Sequence, residues 1–420
     1  MVALPTPFEA YRLDLSRAGT EDDFGSADSL WLLVAHCLSR FSEQPETARL
    51  DLAERSAQAL EQFATSTQDA VEQDGVKPLD PASLGELQKL IEGLHRYADR
   101  AGQETIAKAV IDLSGRVTAA GALTLAYTML GHAREAVVQV SQRSRGLLLA
   151  EQARIARLLG QLDDAEGLYG QLHGMGERSQ DELLLARAAI GRGVVARVRG
   201  NYPKSKAFFV EALTLSERVG SSELQRLAHQ GLTVVAAVSE EWDEALRHGW
   251  LTLVLGAGNP EQESEALGNL AHISLGAGYP RAALHAILKA IPSYRDDRML
   301  LPALGTAVVA AGRCDERSLL DHLTVKLDEH VANSNLPYEG ARALLSLAQA
   351  FDEMGLPGRA DSARSRARGM AEEHEFHELI HVAERDELAR REVVTDAREL
   401  DQQTLEVVTS LESLEYELVL

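Results

Sequence analysis

Apolar positions three and four residues apart run through most of the chain, and the densest stretch is Arg187 to Leu215. It reads as two antiparallel helices joined by Gly200-Asn201-Tyr202-Pro203. On the first helix Ala189, Gly193 and Ala196 recur at helical spacing, so another helix can approach closely. On the second, Phe209, Ala212 and Leu213 form an apolar stripe. Pro203 suits the first turn, where a missing N–H costs nothing. Such a pair has an apolar side it cannot bury alone, and neighbouring pairs must cover it.

The two ends of the chain depart from this pattern. Residues 1–27 carry Pro5, Pro7, Gly19, Gly25 and the acidic run Glu21-Asp22-Asp23, which predicts an irregular segment. Helices are predicted over Ser29–Phe41, from Pro45 to about Thr65, and from Asp80-Pro81 to Arg100, with a polar linker between Asp69 and Lys77. Residues 28–100 therefore form either an N-terminal helical cap or a separate module. Beyond Gly369 the spacing predicts one long charged helix over 370–400. An acidic-apolar tail follows, in which Leu411, Leu414 and Leu418 line one face. The segment 371–420 reads as a final cap or as a docking segment for another protein, this chain's own groove or a second copy.

Between the ends a frame recurs, Gly-x-(Tyr or apolar)-x-x-Ala, with an aromatic residue four positions after the Ala. It stands as Gly160…Ala165 with Tyr169, Gly200…Ser205 with Phe209, Glu240…Ala245, Ala277…Ala282, Gly312…Arg317 and Gly355…Ala360. Upstream, Gly131…Ala136 and Gly102…Ala107 extend it. On these residues the segment 101–370 resembles the tetratricopeptide-repeat (TPR) family, whose repeat is about 34 residues. Ala360, Phe351 and Ala367 fall on family positions, whereas Arg317 stands where a small residue is expected. The resemblance implies an all-α protein, a right-handed α-solenoid of TPR-like helix pairs with helical caps at both ends. It also implies that the first helix of each pair lines the concave groove.

Composition narrows the function. A hydrophobic content of 45% with only 5% aromatic residues fits helix-on-helix packing. The formal net charge of −22 disfavours nucleic acid and anionic membranes and favours protein partners. Two distant cysteines, Cys37 and Cys314, exclude a disulfide framework and point to a reducing cytoplasm. No apolar run is long enough for a membrane span. No cofactor is expected: Gly191-Arg192-Gly193 and Gly256-Ala257-Gly258 lack the context of a phosphate loop.

Two patterns carry candidate chemistry. His377-Glu378-Leu379-Ile380-His381 matches H-E-x-x-H, which would make His377 and His381 zinc ligands and Glu378 the general base of a metalloprotease. Its surroundings argue against that. Glu384 and Glu387 occupy the places of the metzincin Gly and third His, and only 39 residues follow His381. The favoured expectation is a charged helix with Phe376, Ile380 and Ala383 facing inward, and no catalysis.

The second pattern is basic. Nine arginines lie between Arg143 and Arg199 against seven acidic residues, in a chain that is otherwise strongly acidic. On the family's frame Arg154, Arg157, Arg187 and Arg197, with Val194 beside them, face the groove. Guanidinium forks bind carboxylates bidentately, so this wall suits an acidic peptide or a carboxy-terminus. The expected function is a non-catalytic scaffold or adaptor that binds an extended partner segment in the groove. The alternative the family implies is a bacterial peptide-sensing regulator whose N-terminal module delivers the output.

Overall fold

The computed structural model describes residues 34–41, 44, 46–74, 81–388 and 397–416, and all regular structure among them is helical. The predicted irregular segment 1–27 lies outside the described residues. The chain divides into two compact units, Met1–Gly220 and Ser221–Leu420.

The first unit holds a helical stretch at 34–41, then α1 (Glu46–Asp74), α2 (Pro81–His95) and three helix pairs. The pairs are α3 (Arg100–Ala119) with α4 (Leu123–Ala136), α5 (Gln142–Leu158) with α6 (Leu162–Ser179), and α7 (Glu182–Val198) with α8 (Tyr202–Val219). In the second unit, α9 (Ser222–Val238) pairs with α10 (Trp242–Leu255) and α11 (Pro260–Gly276) with α12 (Pro280–Ala290). Two further pairs follow, α13 (Asp297–Arg313) with α14 (Arg317–Asn333) and α15 (Pro337–Glu353) with α16 (Pro357–Glu373). The unit ends with α17 (His377–Leu388) and α18 (Gln402–Glu412).

One backbone device makes every pair. The corner residue takes a left-handed φ at Gly121, Gly160, Gly200, Glu240, Gly278, Asp315 and Gly355, so corners recur every 37 to 40 residues. At the third of them the Asn201 N–H reaches back to the Ala196 carbonyl at 2.9 Å and the Gly200 N–H to Arg197 at 2.9 Å. The same two bonds recur at the others, for example Leu356 to Phe351 at 2.8 Å and Gly355 to Asp352 at 2.9 Å. This closing motif satisfies the orphan carbonyls of the first helix and turns the chain into the second.

The corners correct the sequence frame at four places, one of them Ala277, which stands one residue before the true corner Gly278. Gly131 lies inside α4 and Gly102 in the first turn of α3, so neither is a corner; Gly121 is. Arg317 merely starts α14 with its side chain 68% exposed, and the small-residue position after the Asp315 corner belongs to the buried Leu320. There the frame slipped by three residues because Gly312, inside α13, offers the glycine that the Asp315 corner lacks.

Packing inside the pairs follows the predicted stripe. Phe209 is fully buried, and a Cβ on Gly193 would stand 2.9 Å from its ring. Gly191 faces the preceding pair, where a Cβ would meet the Tyr169 ring at 2.1 Å. Ser205 fills the position taken by Ala in other copies, and its buried hydroxyl donates to the Gly193 carbonyl at 2.8 Å.

Helix α1 runs nine residues past the predicted end, through the start of the supposed linker. Val34, Phe41, Leu60 and Leu87 share one core with Val110, Leu130 and Ile155, so the N-terminal helices pack directly onto the first repeats. Cys37 is buried there, which pushes its thiol up to about 11.

At the other end the expected long helix is broken. Glu375 takes a φ of 57° and the Phe376 N–H reaches the Ala371 carbonyl at 2.8 Å, another closing corner between α16 and α17. The tail then returns to its own unit. Leu400, Val407, Val408 and Leu411 enter the core that contains α10 to α16, with Leu414 half-buried against it. Leu418 lies outside the described residues.

Candidate functional site

The first helices of successive pairs carry both candidate surfaces. In the first unit, α5 and α7 hold the predicted arginines one repeat apart. Arg157 and Arg197 sit three residues before the Gly160 and Gly200 corners, while Arg154 and Val194 sit six before them. Part of the basic segment is neutralised or stacked locally. Arg154 grips Glu151 of its own helix through Nε and Nη2, at 3.0 and 2.5 Å. Arg143 pairs with Asp181 at 2.8 Å, Arg199 with Asp163 and Glu166, and Arg192 lies 4.4 Å above the Phe208 ring.

Arg157 and Arg197 are different. Neither has a carboxylate partner among the described residues, and both are half-buried. Burial pushes the Arg197 pKa down, and the nearby Arg157 charge pushes it further the same way. The Arg157 Nε is sealed from solvent without an acceptor, and its guanidinium lies beside the Tyr169 hydroxyl. The two cations therefore repel each other with no carboxylate between them among the described residues. Arg187 and Val194 are half-buried on the same helix, α7.

In the second unit the corresponding faces are hollow. One cavity of about 330 Å³ lies across α11, α13 and α15, with Leu275, Pro302, Gly305, Val309 and Arg342 in its walls. A second of about 300 Å³ lies across α9 and α11 beside Trp242, and His272 and Gly276 border both. Pro302 inside α13 withholds an N–H, and Thr306 donates its hydroxyl to the Pro302 carbonyl at 3.1 Å. Arg313 is fixed on the rim between Glu353 and the Leu275 carbonyl, both at 3.0 Å. His272 opens to solvent at the mouth, yet the walls around it and the Arg342 charge hold its pKa below the usual imidazole range. It is therefore neutral at pH 7, a form that can both donate and accept a hydrogen bond.

Of these hollow-lining residues the sequence offers two signals, Trp242 at a repeat corner and Pro302 within an apolar helical run. Trp242 packs on the core of its unit and also walls the smaller hollow, so it serves packing and surface together.

The H-E-x-x-H segment opens α17. Leu379 and Ala383 are buried and Phe376 and Ile380 half-buried, against Tyr338, Ala341 and Ala371. His377 and His381 point to solvent, and Glu378 accepts a hydrogen bond from the Tyr338 hydroxyl. Among the described residues no group of three or more His, Cys, Asp or Glu is placed to hold a metal ion. No helix among them is long and apolar enough to cross a membrane.

No protein-family model matches the chain, and no curated protein matches it in sequence. Solved structures do resemble it. A Signal Transduction ATPase with Numerous Domains (STAND) protein with a tetratricopeptide repeat sensor, from Pyrococcus horikoshii, is 12% identical with a TM-score of 0.56. The match covers 88% of this chain but only 57% of that protein. A Rap protein complexed with Competence and Sporulation Factor is 14% identical over 81% of this chain and 98% of its own, with a TM-score of 0.49. The apo form of the quorum sensor NprR from B. thuringiensis is 10% identical over 77% and 98%, with a TM-score of 0.42. Seven helix pairs closed by one repeated corner, and the likeness to the STAND protein's repeats, make this chain a TPR-like α-solenoid.

Proposed function

We propose that the chain is a non-catalytic protein-interaction scaffold that holds an extended, acidic segment of a partner protein against the first helices of its pairs. The observation that carries this reading is the pair Arg157 and Arg197, half-buried neighbours without a carboxylate. An incoming carboxylate would relieve their mutual repulsion and form charge-assisted bonds worth about 1.5–3 kcal/mol each. The surplus of acid elsewhere on the chain would turn such a segment away from other faces. Neither nucleic acid nor membrane enters this reading.

Fluorescence anisotropy with a labelled Glu- and Leu-rich peptide tests it. The expected result is saturable binding that weakens with added salt and falls at least tenfold in Arg157→Glu/Arg197→Glu. Equal affinity for the wild type and the double variant would refute the clamp. Arg154→Glu serves as the comparison, because Arg154 already holds Glu151 and its loss should matter less.

A second reading, a peptide-sensing regulator, is favoured by the hollows of the second unit, which are sized for side chains rather than for a flat contact. Release or recruitment of a partner protein by a short peptide would distinguish it from a passive scaffold.

A further inference from the structure

The C-terminal segment 397–416 lies against α10 and α12, the second helices of their pairs, whereas the hollows are lined by first helices. Its attachment is specific. The Arg398 N–H donates to the Ala277 carbonyl at 3.0 Å, and the Tyr279 hydroxyl donates to the Arg398 carbonyl at 2.7 Å. The Asp401 N–H donates to Asp243 at 2.9 Å, and the Asp401 carboxylate both caps α18, accepting from Thr404 N–H at 2.8 Å, and pairs with Arg247. Leu400, Val407 and Leu411 then sink into the core, and the Tyr416 ring meets His285 edge-on at 5.1 Å between centroids.

These bonds fall on chain neighbours of residues that line the smaller hollow, Trp242 and Gly276. Ala277 and Tyr279 belong to the corner that follows Leu275 and Gly276. Asp243 is the neighbour of Trp242, and Trp242 borders both the hollow and the cleft of about 460 Å³ that holds Arg398, Leu400 and Asp401. Gly276 is what lets the indole in: a Cβ there would stand 2.8 Å from its Cη2 atom.

We infer that segment 397–416 is a strap whose seating and the shape of the Trp242 hollow are set together, with the indole and the 275–279 corner as the shared parts. An occupant that displaces the indole loosens the strap, and a partner that lifts the strap reshapes the hollow. By thermodynamic reciprocity the two effects are equal in size, on the order of five- to a hundredfold for couplings of this kind. The coupling does not depend on the arginine clamp, so either can fail alone.

The test needs no ligand. In full-length protein, Gly276→Ala should force the indole aside and speed amide exchange at Arg398 and Asp401 at least about tenfold. Gly305→Ala is the control, since its Cβ would meet Ser346 at 3.2 Å and not Trp242. It should leave both amides unchanged, and in Gly276→Ala exchange in α15 should stay at the wild-type rate. Reciprocally, Arg398→Pro removes the N–H given to Ala277. In a Trp31→Phe/Trp250→Phe background it should shift the emission of Trp242. Unchanged strap amides in Gly276→Ala, or unchanged Trp242 emission in Arg398→Pro, would overturn the inference. If Gly276→Ala fails to fold, the Arg398→Pro measurement decides alone.

Discussion

The residue three positions before each corner stands at the same point of every first helix, and the two units fill it with opposite chemistry. In the first unit it is Thr118, then Arg157 and Arg197; in the second it is Ala237, Leu275, Gly312 and Asp352. The arginines stand unneutralised, whereas Ala237 and Leu275 wall the hollows and Asp352 turns inward to a buried arginine. The repeat thus fixes where a side chain is presented and leaves open what it presents. A cationic face and a hollow face follow from one backbone.

The largest effects should come from removing what holds each unit. Asp352 binds Arg364 through both oxygens, at 2.5 and 3.1 Å, and Arg364 is only 6% exposed. Asp352→Ala leaves that buried charge only the exposed Asp361 at 3.3 Å and should cost about 3 kcal/mol, while replacing both Asp352 and Arg364 by apolar residues should cost far less. Phe209→Ala leaves a cavity over Gly193 and should cost a similar ~3–5 kcal/mol. Urea unfolding followed by amide exchange would locate each loss. The comparison breaks if Phe209→Ala does not loosen α7 and α8 first, or Asp352→Ala α15 and α16 first.

Next in size is the difference between the two faces. Arg157→Glu/Arg197→Glu should remove about 2–4 kcal/mol of acidic-peptide affinity if both forks bind carboxylate. Leu275→Glu, which adds the same charge to the hollow, should weaken that binding by less than about 1 kcal/mol through long-range repulsion alone. Equal losses from both variants would erase the distinction between the faces.

Much of this was readable from sequence, and the misses share a cause. Helical spacing located Phe209, Ala212 and the small residues beneath them, because burial leaves a period in the chain. The corner at 315 escaped because a left-handed φ is a property of the backbone, and Asp315 adopts it without advertising it as glycine does. The basic wall was visible, but not its members' fates. Arg143 finds Asp181 and Arg199 finds Asp163 across sequence separations of 38 and 36 residues, which only the stacking of pairs brings about. Hollows leave still less trace, being spaces where side chains are small or absent, as at Gly276 and Gly305.

The smallest test compares the corners themselves. Gly200 closes the α7–α8 pair at a φ of 74° with open space where a Cβ would go. Gly200→Ala therefore meets no neighbour, and its net cost of about 1 kcal/mol comes from holding a Cβ residue at a left-handed φ. Glu240 closes the α9–α10 pair at a φ of 56°, bearing a strain that glycine lacks. Glu240→Gly removes that strain but loosens the unfolded chain, so the net gain should be a few tenths of a kcal/mol up to about 1. Thermal melts of the two single variants and their combination would read both signs. If the corner is one device used twice, the shifts should oppose each other and add within about 0.5 kcal/mol, since the sites share no partner. Destabilisation by Glu240→Gly would mean that its side chain contributes more than its backbone costs, and the corners would not be equivalent.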